Sequence, residues 1–301
     1  MLVYWLSYLY FPAALGILLA AKLRKGWLSR SLLATIFAGL SILAYARFVE
    51  PRILLVQETT IDLERCIRKP TEIRLALLAD THIGVFKNAM PISRIAKRLE
   101  EINPDFTVIA GDFTYYLEPE RAEETFNPLG DLSHPVYGVL GNHDLERRSS
   151  DNERLKKALS EIGIDLIDNR IIQIQVGDQE WEIIGLADFW LGRPVYTLID
   201  TDLDVPRLVL THNADIIQHL PDDSLDLMLS GHTHGGQILL TETLTCEIAR
   251  NACNITRRGL TERPAGKAFI TSGLGMVGLP FRFRVPPQID VLTVRFPGCA
   301  S

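Results

Sequence analysis

Ile73-Arg74-Leu75-Ala76-Leu77-Leu78-Ala79-Asp80-Thr81-His82-Ile83-Gly84 passes from a short apolar run to two metal-ligand side chains within a few residues. A run this short and this rich in Leu, Ile and Ala reads as a strand buried in an α/β sheet. Asp80 and His82 are two apart, so extended backbone would point them the same way.

The same arrangement recurs four times. The apolar runs 106–110, 136–140, 207–210 and 225–229 are followed by Gly111-Asp112, by Gly141-Asn142-His143-Asp144, by His212, and by Gly231-His232-Thr233-His234. In open α/β sheets the ligand crevice lies outside the carboxyl ends of the strands, so five stretches of chain are expected to converge on one edge. The side chains offered are carboxylates, imidazoles and one amide, with no thiolate. That mixture suits Mn²⁺, Fe or Zn²⁺ better than a thiolate zinc site or an all-oxygen Ca²⁺ site. Any one histidine reads as ordinary, but five of the seven in the chain fall in this series. The glycine-rich stretch 231–236 lacks the GxxxxGK[ST] pattern of a nucleotide-phosphate loop.

These blocks, in this order over residues 71–296, resemble the calcineurin-like metallophosphoesterases. Gly231-His232-Thr233-His234-Gly235-Gly236-Gln237, then Gly273-Leu274-Gly275, Pro280, Arg282 and Pro286-Pro287, are similar to a membrane-associated or exported bacterial phosphodiesterase branch. That branch includes proteins similar to one type of UDP-2,3-diacylglucosamine hydrolase. The resemblance implies an α/β fold, the four-layer αββα sandwich, and two divalent metal ions, with Mn²⁺ favoured and Fe or Zn²⁺ as alternatives. Position by position, it puts Asp80, His82, Asp112 and His234 on one metal and Asp112, Asn142, His212 and His232 on the other, with Asp112 bridging. Water activated by the metal pair would attack phosphorus in line. His143 would be the catalytic side chain beside the phosphoryl group, stabilising charge or protonating the leaving oxygen. Asp144 is left with two roles, orienting His143 or supporting nearby backbone.

Two departures matter. Gly111-Asp112 continues Phe113-Thr114-Tyr115-Tyr116 without the arginine clamp of phosphoprotein phosphatases, which argues against a protein Ser/Thr phosphatase. Gln288 stands where branch relatives usually have Glu and reads as structural.

Residues 1–21 hold no charged side chain, and at ~1.5 Å per residue they span a ~30 Å hydrocarbon core. A connector with Lys22, Arg24, Lys25 and Arg30 follows, then a second apolar run from Ser31 to Ala46 that Trp27 and Leu28 can extend. Two antiparallel spans are expected, in contact with membrane lipids through residues 1–46. A flat interfacial segment is the alternative. The charges come after the apolar stretch, unlike a cleavable signal peptide. By the positive-inside rule the connector is cytoplasmic and the catalytic domain lies on the periplasmic or outer face of the inner or plasma membrane. Arg47 and Arg52 flank the far end, and a single span would place the domain in the cytoplasm. Residues 1–50 are thus read as anchor and 51–301 as one metallophosphoesterase domain.

The net charge of −6 removes the usual footprint of a nucleic-acid binder, and no protein partner is indicated. Cys66, Cys246, Cys253 and Cys299 lie outside the metal blocks, and Cys246 and Cys253 can pair if the domain is exported. Helices are expected over 91–102 and 151–162, a hairpin of 171–176 with 181–186 about Gly177-Asp178, and late strands over 268–271 and 289–295. Two stretches are candidates to select the substrate: 189–199, with Trp190, Arg193 and Tyr196, and 238–266, with Arg250, Arg257, Arg258 and Arg263 available to an anionic head group.

The function expected is a membrane-anchored two-metal phosphoesterase, cleaving a phosphodiester or pyrophosphate bond. A lipid-linked phosphate ester is the substrate expected, with UDP-2,3-diacylglucosamine the specific candidate, although that substrate requires a cytoplasmic site. Alternatives are a broad-specificity exported phosphodiesterase and a non-catalytic metal-site scaffold on the same fold.

Overall fold

The computed structural model describes residues 2–23, 26–87, 89–203 and 205–299. Arg24 and Lys25 of the basic connector, and the side chain of Arg250, lie outside the described residues. In chain order the helices are α1 (Leu2–Leu6), α2 (Tyr10–Leu23), α3 (Trp27–Ala44), α4 (Ile92–Ile102), α5 (Ala122–Gly130), α6 (Asn142–Leu145), α7 (Ser149–Glu161) and α8 (Glu242–Ile248). The strands are β1 (Leu55–Asp62), β2 (Thr71–Leu78), β3 (Ile83–Gly84), β4 (Phe106–Ala110), β5 (Thr114–Tyr115), β6 (Val136–Val139) and β7 (Ile164–Leu166). They continue with β8 (Arg170–Val176), β9 (Gln179–Gly185), β10 (Arg207–Leu210), β11 (Leu227–Ser230), β12 (Gly259–Arg263), β13 (Gly266–Ile270) and β14 (Gln288–Phe296).

Two six-stranded sheets stack face to face, in the orders β1-β14-β2-β4-β6-β7 and β12-β13-β11-β10-β9-β8. β2, β4, β6 and β7 run parallel, as do β13, β11, β10 and β9. The two-residue side-chain period accounts for the layers. Ile73, Leu75, Leu77 and Ala79 of β2 and its extension enter the core between the sheets, with Leu208, Leu210, Leu227 and Leu229 opposite. Ala76 and Leu78 face the other way, onto Ile92, Ile95 and Leu99 of α4. Because both faces of β2 are covered, its sequence is continuously apolar. On the second sheet the outer layer is thinner: Ala214, Ile216 and Ile217 of a 3-10 turn cover Val209 and Met228.

At the N-terminus, Leu2–Leu23 and Trp27–Arg52 are two helical stretches long and apolar enough to cross a membrane. Leu15, Leu19, Leu28 and Leu32 on them are exposed. The second helix begins at Trp27, so Arg30 lies within it, and it continues past Ala44 through a π turn (Tyr45–Val49) and a 3-10 turn (Glu50–Arg52). The hairpin closes on itself where the Tyr8, Tyr10 and Phe11 rings meet Phe48. Its open end sits on the α/β unit. The Tyr4 ring stacks on Phe86, and the Arg282 amide donates to the Ala46 carbonyl.

Cys246 and Cys253 are disulfide-bonded, as the spacing allows. Cys66 and Cys299 form a second disulfide that the sequence did not suggest. Only β1 and β14 pairing side by side brings those two positions together.

Candidate metal centre

All five motif blocks end at one edge of the two sheets. Asp80 and His82 follow β2, Asp112 follows β4, Asn142 and His143 open α6 after β6, His212 follows β10, and His232 and His234 follow β11. Extended backbone does not continue through the motifs, however. Asp80, His82, Asp112, His232 and His234 all adopt positive φ, between 45° and 70°. Such conformations cost a non-glycine residue on the order of 1 kcal/mol or more and collect at functional sites. Backbone pairing between the loops compensates: the Asp80 amide donates to the Gly111 carbonyl, His82 to Asp112 and Gly231 to His212. Gly141 permits the closest approach, since a Cβ there would lie 2.1 Å from Asp112 Oδ1.

The donor atoms fall into two groups. His82 Nε2 and His234 Nε2 are 3.0 Å apart, and Asp80 Oδ1 is 3.5 Å from the latter. His212 Nε2 lies 3.1 Å from His232 Nδ1 and 3.2 Å from Asn142 Oδ1. Asp112 Oδ2 stands between the groups, 3.3 Å from His82 Nε2 and 3.1 Å from His212 Nε2, buried and without a hydrogen bond. Ligand atoms about 2.1 Å from one cation, at right angles, lie about 3.0 Å from each other, so both groups have the spacing of a coordination shell. His212 Nδ1 faces the Ala110 carbonyl at 2.7 Å. A carbonyl only accepts, so Nδ1 carries a proton and Nε2 is the nitrogen left to face the other donors, free to ligate once its own proton is displaced.

Charge is distributed unevenly across the set. Burial pushes the Asp80 carboxyl up to about 7 and lowers the His82 and His232 imidazoles to about 3, leaving both neutral. Burial alone would raise Asp112 and depress His212, but each is countercharge to the other. Asp112 is held well below the carboxylate range and His212 is raised to about 10.

His143 sits at the rim, its ring 5.0 Å from that of His82 and 5.1 Å from Tyr115. Its amide donates to Asp112 Oδ1 at 2.9 Å, and its Nδ1 lies 3.0 Å from Glu146 Oε2. Glu146 was not singled out from sequence, though a carboxylate three residues on in a helix is the signal that would have found it. Asp144 takes the backbone role: its carboxylate accepts from the amides of Phe113, Thr114 and Gly141 and from the Thr114 hydroxyl. Asp188, buried after β9 and holding the Trp190 and Leu191 amides through Oδ1, was also passed over.

Of the expected substrate-selecting residues, Trp190 reaches the site, its ring 4.4 Å from His232. Tyr196 instead packs with the apolar cluster outside the second sheet. Two of the arginines of 238–266 are taken up by structural contacts. Arg257 is buried on Glu242, and Arg263 donates to the Ile255 carbonyl. Gln288 is structural, its side chain donating to Asp290.

Residues 73–236, more than half of the chain, match the model of the calcineurin-like phosphoesterases, and the chain belongs to that family. Members use a dinuclear divalent metal site, which the donor groups above fit, and the chain is accordingly a metal-dependent phosphoric ester hydrolase. It is 31% identical to phosphodiesterase YaeI of Escherichia coli (strain K12) over 55% of this chain and 62% of that protein, less than two-thirds of its length. It is 24% identical to UDP-2,3-diacylglucosamine pyrophosphatase LpxG of Chlamydia trachomatis, over 88% of this chain and 96% of that protein. A transmembrane protein with metallophosphoesterase domain from Danio rerio is 26% identical over 80% of this chain and 57% of its own length.

Proposed function

We propose that this member of the calcineurin-like phosphoesterases is a membrane-anchored two-metal enzyme that hydrolyses the phosphodiester or pyrophosphate bond of a lipid-linked substrate. The observation that carries the two-metal reading is Asp112 Oδ2, a buried oxygen shared between two groups of ligand atoms. In this reading Asp80, His82 and His234 hold one cation, Asn142, His212 and His232 hold the other, and Asp112 bridges. A bound pair of divalent ions supplies Lewis acidity and brings the pKa of water towards neutrality, with Mn²⁺ the favoured ion. His143, on the rim with Glu146 behind it, stabilises charge on the phosphoryl group and returns a proton to the leaving oxygen.

Anchoring rests on the two exposed apolar helices, whose open end is packed beside the site. The basic connector lies at the other end of the hairpin. By the positive-inside rule that end is cytoplasmic, and the catalytic domain is outside. Two disulfides support the same side, since such bonds persist in oxidising compartments. UDP-2,3-diacylglucosamine, the substrate in the name of the chlamydial relative, calls for the opposite orientation. The wider class, a lipid-linked phosphate ester on the outer face, is therefore the reading favoured here.

Full-length protein in detergent, assayed on bis-p-nitrophenyl phosphate with Mn²⁺ and with chelator, tests the chemistry. Metal-dependent release of p-nitrophenol is expected. A protein holding two metals per chain but inert on this ester and on UDP-2,3-diacylglucosamine would instead be a metal-site scaffold.

A further inference from the structure

A cavity of about 710 Å³ opens directly from the metal centre, with His232 and His234 at its inner end. Away from those histidines its walls are mostly apolar: Trp190, Ile238, Leu240, Ile248, Ala252 and Leu279 line it, with Thr233, Gln237, Thr245 and Glu247 the polar exceptions. Four of the apolar residues, Trp190, Leu240, Ile248 and Leu279, are also exposed at 45%, 46%, 73% and 43%. Large apolar side chains grouped at one mouth mark a binding surface rather than ordinary scatter.

The walls are held firmly. On one side, the Cys246–Cys253 disulfide ties α8 to the turn that follows it, and Arg257 pins α8 through Glu242 and the Gly235 carbonyl. On the other, the strap 276–281 is clamped by Gln237, three residues beyond His234. Gln237 Nε2 donates to the Val277 and Leu279 carbonyls, and Gln237 Oε1 accepts from the Val277 amide.

That strap also meets the membrane hairpin. Met276 clusters with Tyr4 and Phe86, and Phe281 faces Leu6, Tyr10, Leu40 and Leu43. One short segment thus forms a wall of the cavity on one side and the seat of the apolar helices on the other.

We infer that this cavity is the subsite for the acyl chain of an amphiphilic phosphate ester, seating the chain while the phosphate lies at His232 and His234. The inference rests on the phosphoesterase reading above and adds where the acyl chain is seated and the residues that select it.

The test uses full-length protein in nanodiscs with Mn²⁺ and a series of p-nitrophenyl alkyl phosphodiesters from methyl to dodecyl. kcat/KM rises by up to about fourfold per methylene buried and levels off once the cavity is full. Partition into the bilayer also favours long chains, so the decisive quantity is the dodecyl-to-methyl ratio in variants relative to wild type. Ile248→Glu and Leu279→Glu, on opposite walls and both exposed, lower that ratio at least tenfold, and turnover of the methyl ester reports that each variant is folded. A ratio unchanged by both substitutions, or wild-type rates independent of chain length, overturns the subsite while leaving the phosphoesterase reading intact. Failure to cleave even the methyl ester with metal bound overturns both.

Discussion

Asp112 Oδ2 and His212 Nε2 lie 3.1 Å apart with both side chains buried, and the same oxygen is 3.3 Å from His82 Nε2. One carboxylate therefore belongs to both donor groups. Asp112→Asn preserves shape but removes the charge that two cations would share. Metal content is expected to fall below two per chain, with hydrolysis of bis-p-nitrophenyl phosphate down by at least about a thousandfold. Elemental analysis beside the rate checks this, and a variant retaining two metals would refute the bridge.

Metal affinity should depend steeply on pH. Cation binding must displace the proton that burial keeps on Asp80 up to about 7 and the one that Asp112 keeps on His212 up to about 10. Both groups hold protons more tightly than usual, so raising the pH favours binding. Affinity for Mn²⁺ should climb by up to about a hundredfold per unit below pH 7, where two protons leave, and by about tenfold per unit above it, where one does. Calorimetric titrations in buffers of different ionisation enthalpy count the protons released. No release at pH 6.5 would contradict the scheme.

His143 is placed to act on substrate without holding the site together. Its side chain is at the rim, whereas its amide, which any residue supplies, makes the bond to Asp112. His143→Ala should therefore keep both metals and lose about 10²- to 10⁴-fold in kcat. Glu146→Gln, which removes the charge behind the His143 ring, should lower kcat with a smaller loss. Unchanged turnover in His143→Ala would remove it from the mechanism.

The sequence showed the parts whose physics is local. Apolar runs buried on both faces marked β2, β4, β10 and β11, and ligand types after each located the site, because a strand's carboxyl end fixes where the next residue emerges. Elements whose identity depends on distant partners were not visible. Leu55–Asp62 is a polar edge strand defined by pairing with Gln288–Phe296. Ala122–Gly130 carries Pro128 within it, which argues locally against a helix. In 238–266 the arginines stand out in sequence, but folding spends Arg257 and Arg263 on structure, and the apolar residues Ile238, Leu240, Ile248 and Ala252 that precede them line the cavity.

The Cys66–Cys299 bond joins positions 233 residues apart, near the two ends of the α/β unit. Closing so long a loop in the unfolded chain is worth about 3–5 kcal/mol. Cys66→Ser should lower the unfolding midpoint by on the order of 10 °C. In membranes from cells treated with a thiol-alkylating agent without reductant, all four cysteines should resist labelling. Ready labelling of Cys66 and Cys299 would place the domain on the reducing side.

The hairpin is joined to the site by a chain of hydrogen bonds, not by a loose tether. The buried Glu50 accepts from the Val285 amide at 2.6 Å, and the Arg282 amide donates to the Ala46 carbonyl at 2.9 Å. Arg282 is itself buried, its guanidinium donating to the carbonyls of Ser272, Gly275 and Val285. From there the Leu274 and Gly275 amides reach the carbonyls of Ala79 and Asp80. Glu50→Ala leaves the Val285 amide without its acceptor, at a cost of about 1–3 kcal/mol, and frees the segment that backs Asp80. A misplacement near 1 Å at a catalytic group costs about a hundredfold. The expected result is a ten- to hundredfold loss of kcat with weaker metal retention, while Arg52→Ala, at an exposed position two residues on, changes neither. Equal behaviour of the two variants would mean that the helix end carries the domain without positioning the site.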